Sequence, residues 1–187
     1  MNKSLILKSV IAVSLAVPML ASAESDLTVG AGPAAARLNF QVIVPRVLYL
    51  AVGTGNATLA DDTTVDLLSY DYSGNVAALG NGTDSAAQAV NVRVLGNNGQ
   101  IQIAAAGSGT GLVNSLIPAE VIPWTEILAT SSAATFAVPA VGGTANPTLS
   151  AGRVTNRTAV WNFAYSNSVI PAPGTYTGQV TYTATMP

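Results

Sequence analysis

The 187-residue chain contains no cysteine and no histidine. The first absence excludes disulfides, thiol nucleophiles and thiolate metal centres. The second removes the commonest general base and the commonest metal ligand. The only lysines, Lys3 and Lys8, lie at the very start, so every later cation is an arginine: Arg37, Arg46, Arg93, Arg153 or Arg157. These five face nine acidic residues, a net charge of −4 beyond the start of the chain. Nucleic acid and anionic membrane surfaces need clustered cations, so neither fits as a partner. Ser-His, Cys-His and Ser-Lys nucleophiles are all missing beyond residue 8, and the expectation is a protein that is not an enzyme and carries no cofactor.

Long apolar runs are also scarce. The one that exists, from Val10 to Leu20, follows the two lysines and precedes Ala21-Ser22-Ala23, a small-x-small cleavage pattern. Residues 1–23 therefore read as a signal peptide, with Glu24 as the expected first residue of an exported chain. No later stretch approaches 18 uninterrupted apolar residues, so no integral membrane segment is expected after the leader. About 160 remaining residues bury roughly 70% of their unfolded surface, enough for a core without disulfide staples.

Beyond the leader the chain is a series of short alternating runs separated by Gly, Asn, Pro and Ser. Runs at 38–44, 47–52, 67–72, 90–95, 100–104, 124–130, 135–141, 158–165 and 175–186 read as strands. The pair 90–95 and 100–104, joined by Asn97-Asn98-Gly99, reads as a hairpin on its Asn-Gly turn. Trp161, Phe163 and Tyr165 share one face and supply aromatic volume for a core. No segment holds a helical stripe, and eight to ten short strands suggest an all-β sandwich of one domain, 37–187. Residues 24–36 form an N-terminal extension.

Three constellations could carry chemistry. Asp61, Asp62, Asp66 and Asp71 cluster within eleven residues, a hint of calcium ligands, but their spacing is not that of an EF-hand and solvated loop acids are the simpler reading. Glu120 and Glu126 flank Ile122-Pro123-Trp124 and could be imagined as a glycosidase pair, although structural roles are favoured. Exposed Trp124 or tyrosines could stack on sugars, though at strand spacing such residues are more often core.

The most informative stretch is 174–187. Tyr176, Val180, Tyr182, Ala184 and Met186 alternate with Thr175, Thr177, Gln179, Thr181, Thr183 and Thr185, the pattern of a strand with one buried and one wet face. This segment resembles the closing strand of chaperone–usher pilins, with Gly174 fourteenth from the end; the penultimate residue is Met186, and the nearest aromatic is Tyr182. The leader, the size, the Thr/Gly/Ala richness and the scarcity of charge are similar to that family, which includes cysteine-less colonisation-factor pilins.

The resemblance implies an immunoglobulin-like β-sandwich completed by a strand from a neighbouring subunit, hence a self-polymer, with a periplasmic chaperone and an outer-membrane usher as possible partners. It implies a structural subunit of a cell-surface fibre, in the periplasm only in transit. Gly174, Tyr176, Val180 and Tyr182 are then interface candidates on the accepting side. The candidate donor is 24–36, with Leu27, Val29 and Ala31 on one face. Burying that leucine and valine gives roughly 3–6 kcal/mol gross. The rival donor face is Leu38, Phe40, Val42 and Val44, unless 38–44 is simply the first strand of a complete domain. The alternative function is a secreted or periplasmic binding module, for instance for carbohydrate.

Overall fold

The architecture is that of a computed structural model, which describes residues 24–54 and 59–187. The signal peptide expected over 1–23 lies outside the described residues. The chain divides into two units, Met1–Val44 and Pro45–Pro187.

The second unit is all-β. Its strands are β1 (Leu48–Val52), β2 (Gln88–Gly96), β3 (Gln102–Gly107), β4 (Gly111–Asn114), β5 (Val121–Pro123), β6 (Ile127–Ser131), β7 (Thr144–Ala145), β8 (Thr155–Tyr165), β9 (Tyr176–Thr177) and β10 (Val180–Thr185). They form three antiparallel sheets, in the orders β1-β2-β8-β6, β10-β3-β7 and β5-β4-β9. The result is sandwich-like. β2 and β8 form the longest pairing, with Val90 opposite Trp161 and Val92 opposite Ala159.

Side-chain alternation explains why these residues form strands around one core. On β2, Val90, Val92 and Val94 are buried while Ala89 and Asn91 face water. On β8, Trp161, Phe163 and Tyr165 are buried on the same face, as their spacing requires. Ile103 of β3 and Ile101 just before it come from the side of the second sheet, and Phe136 plugs the core from a 3-10 turn at Ala134–Phe136. The Phe136 ring meets Trp161 edge-on at 5.3 Å, and the Trp161 indole N–H donates to the Phe136 carbonyl at 3.2 Å. Each such fully buried side chain contributes roughly 1.5–3 kcal/mol.

The hairpin expected across Asn97-Asn98-Gly99 is a correction. Both arms are strands, yet they do not pair: β2 pairs with β1 and β8, and β3 with β10 and β7. The turn is an arch that carries the chain from one sheet to the other. Both edges of β2 are occupied, and Ile101 is fully buried just beyond the turn, so β3 faces β2 across the core. Gly99 takes the left-handed backbone (φ 103°), and the Asn97 amide donates to the Pro45 carbonyl while its oxygen accepts from the Val47 N–H.

Other strand expectations shift. The 124–130 run begins with a 3-10 turn at Trp124–Glu126, and 135–141 holds no strand because Phe136 turns inward. Residues 67–72 pair with no strand, although Leu68 packs on the core. The C-terminal alternation is present in burial, but the run is two strands and not one. It breaks at Gly178, which lies against the Trp124 ring, where a Cβ would come within 2.8 Å of the indole.

In the first unit, 24–37 closes on itself. Arg37 donates two hydrogen bonds to the Glu24 carboxylate, at 2.8 and 2.7 Å, and the Thr28 hydroxyl donates to the Pro33 carbonyl at 3.1 Å. The ion pair pulls the Glu24 pKa down and the Arg37 pKa up, but both groups are solvated, so it adds little stability. Residues 38–44 hold no strand, and the second unit starts at Pro45.

Candidate functional site: two unpaired strand edges

β1 ends one sheet and β10 ends another; the two approach each other and are not hydrogen-bonded neighbours. They meet at one end, where the Arg46 guanidinium, just before β1, donates to the Met186 carbonyl, just after β10, at 2.5 Å. Each outer edge lacks a strand partner among the described residues, which leaves backbone donors and acceptors for a further strand.

The side chains along these edges are apolar and half-buried. Leu50 and Val52 on β1, and Tyr182, Ala184 and Met186 at the C-terminus, all pack against the core. Tyr182 is the anchor of its lip. Its ring lies 5.1 Å from that of Trp161, tilted by 52°, and burial pushes its phenol pKa up to about 12. The register sets this: Tyr182 lies opposite Ala105 of β3, whose small side chain leaves room beside the indole.

Of the residues singled out from the sequence, Val180 and Tyr182 share the inward face of β10. Tyr176 belongs to β9 in the third sheet, and its hydroxyl donates to the Ala172 carbonyl at 2.9 Å. Gly174 sits against Asn114. Its backbone is left-handed (φ 148°), and a Cβ there would fall 2.3 Å from Asn114 Oδ1. Asn114 is itself buried, donating to the Pro173 carbonyl and accepting from the Leu116 and Ile117 N–H groups. Leu27, Val29 and Ala31 are exposed, within the closed 24–37 loop. Leu38, Phe40, Val42 and Val44 are 65–86% exposed, an alternating apolar face. The β1 lip, Leu50 and Val52, was not singled out. Its parity with Leu48 was the signal, visible only once β1 is known to be an edge.

The acids are tied into local structure. Asp62 and Asp71 accept from the N–H groups two residues on, Thr64 and Ser73, which lowers both pKa values. Asp66 accepts from the Thr54 N–H and hydroxyl. Among the described residues no group of three acids could hold a metal ion. Glu120 is exposed, whereas Glu126 is buried and accepts from the Ser166 and Ser168 hydroxyls, both at 2.5 Å, and from the Ser168 N–H at 3.1 Å. Burial pushes its pKa up, but those hydrogen bonds outweigh it and leave the carboxyl below the ordinary glutamate value. The Trp124 indole N–H donates to the Gly109 carbonyl at 3.2 Å. No described helix is long and apolar enough to cross a membrane. No protein-family model and no curated protein matches the chain.

Proposed function

We propose that the chain is a non-catalytic structural subunit of an exported bacterial surface fibre, assembled by β-strand complementation. Residues 38–44 of one copy add as a strand to the free edge of β10 of the next, in an immunoglobulin-like arrangement. The observation that carries this reading is the combination of two unpaired edges lined by core-packed apolar residues with an unburied alternating apolar face in the same chain.

Between the two donor segments, the geometry favours 38–44. Residues 24–37 are joined at their ends by Glu24 and Arg37, and the apolar face there is Leu27, Val29 and the small Ala31. Leu38, Phe40, Val42 and Val44 offer four side chains of valine size or larger, about 6–12 kcal/mol gross before ordering costs. The polar threonine face of β10 stays outward, which suits a fibre surface. Chaperone and usher partners follow from the pilin resemblance. Negative-stain microscopy of the mature protein and of the cell surface tests the proposal: thin fibres are expected, and a stable monomer at every concentration would favour a secreted binding module instead.

A further inference from the structure

We infer that the second unit carries a saccharide-binding site, formed where residues 69–75 cross the start of β2. A shallow, open depression of about 380 Å³ lies there, lined by Ser69, Tyr70, Asp71, Tyr72, Asn75 and Gln88 among others. That volume falls at the small-ligand end of the usual range for binding pockets.

The lining has a consistent chemistry. Tyr70 and Tyr72 are held by Tyr165 of β8, with ring centroids 6.4 and 6.0 Å away and the Tyr72 ring edge-on. Tyr165 is 5% exposed, so this aromatic wall is braced from inside the core. The Tyr70 hydroxyl is shielded and has no hydrogen-bond partner among the described residues, so Tyr70 offers its ring and not its hydroxyl to a ligand. Gln88 donates through Nε2 to the Ser69 carbonyl at 2.7 Å, which fixes its amide and leaves Oε1 as an acceptor. Asp71 is exposed and tied to Ser73, whose N–H donates to Oδ1 at 2.8 Å and whose side chain also hydrogen-bonds the carboxylate. The Asn75 side-chain amide bonds to no described residue.

A tyrosine wall beside carboxylate and amide groups suits a ligand with apolar C–H faces and many hydroxyls. The lining holds a carboxylate and no cation, which disfavours phosphorylated or acidic sugars and points to neutral ones. The two side-chain amides, Gln88 held by the Ser69 carbonyl and Asn75 bonded to no described residue, argue against a purely cationic ligand, which would need only the rings and Asp71. The site lies apart from the residues of the fibre contact, and this inference stands whether or not the chain polymerises.

Saturation-transfer difference NMR of the full mature protein tests it, because this observes the small ligand and tolerates both weak binding and large assemblies. The probes are the methyl glycosides of mannose, galactose and N-acetylglucosamine, with tetramethylammonium as the cationic comparison. Transfer to at least one sugar is expected, with binding weakened about fivefold in Asn75→Ala, the worth of one hydrogen bond. Tyr72→Ala should abolish it, and Asn75→Ala keeps the test decisive if that variant misfolds. Fibre formation should be the same in Asn75→Ala and in the unmodified chain. Transfer to none of the sugars, transfer unchanged in Asn75→Ala, or transfer to tetramethylammonium alone overturns the inference.

Discussion

Tyr182 and Trp161 lie 5.1 Å apart between ring centroids, the C-terminal edge strand leaning its one large aromatic on the central indole of the core. The free edge of β10 is thereby continuous with the hydrophobic centre. A strand laid along β10 would cover core residues and not a detached surface patch, so its binding energy would draw on the same burial that holds the fold.

Removing that ring should therefore be felt throughout the second unit. Tyr182→Ala is expected to cost about 2–3 kcal/mol, less than a fully buried aromatic because the residue is only half-buried. Its neighbour Thr181 is exposed on the opposite face, and Thr181→Asp should stay within about 0.5 kcal/mol. Thermal melts of the two variants check this; equal losses would mean that the alternation does not define the buried face.

Gly174 and Asn114 form a second dependency. Gly174→Ala places a Cβ 2.3 Å from Asn114 Oδ1 in a left-handed backbone, which threatens three hydrogen bonds made by a buried amide. The expected cost is on the order of 2 kcal/mol or more. Denaturant unfolding measures it, and a neutral result would show that the 114–117 turn can relax around a methyl group.

The pH dependence has two limbs. Glu126 has a folded pKa below its ordinary value, so its stabilisation is present above the unfolded pKa and is lost as pH falls through the folded one. Glu126→Gln should flatten the acid side of the melting-temperature profile. Tyr182 has a folded pKa raised to about 12, so stability is full below the unfolded value of about 10 and declines between the two. Tyr182→Phe should reduce that decline without removing it, because burial raises Tyr70 and Tyr165 in the same direction. An unchanged alkaline slope in Tyr182→Phe would contradict the burial of this phenol.

The inward face of the C-terminal run was legible because period-2 alternation is local: Val180, Tyr182, Ala184 and Met186 are half-buried and their neighbours exposed. The aromatic face of β8 was legible for the same reason. The Asn97-Asn98-Gly99 turn misled because the dipeptide specifies a reversal of the chain, whereas pairing or arching depends on which strands already occupy the edges of β2. Gly178 looked like one more strand position, and only its contact with Trp124, fifty-four residues earlier, shows why the strand breaks there. The depression beside Tyr70 and Tyr72 was invisible for a related reason. Tyr70 and Tyr72 alternate like strand residues, and their clustering with Tyr165 is a tertiary fact.

The most direct test of strand sharing is sedimentation velocity on the mature chain carrying Phe40→Asp and Val42→Asp, paired with its thermal melt. Two carboxylates on the donor face would have to be buried unpaired against the neighbour's apolar edge, which should abolish assembly. The account expects a folded monomer with the melting temperature of the second unit unchanged. Fibres that persist in this variant, or a variant that unfolds because 38–44 completes its own domain, would contradict it.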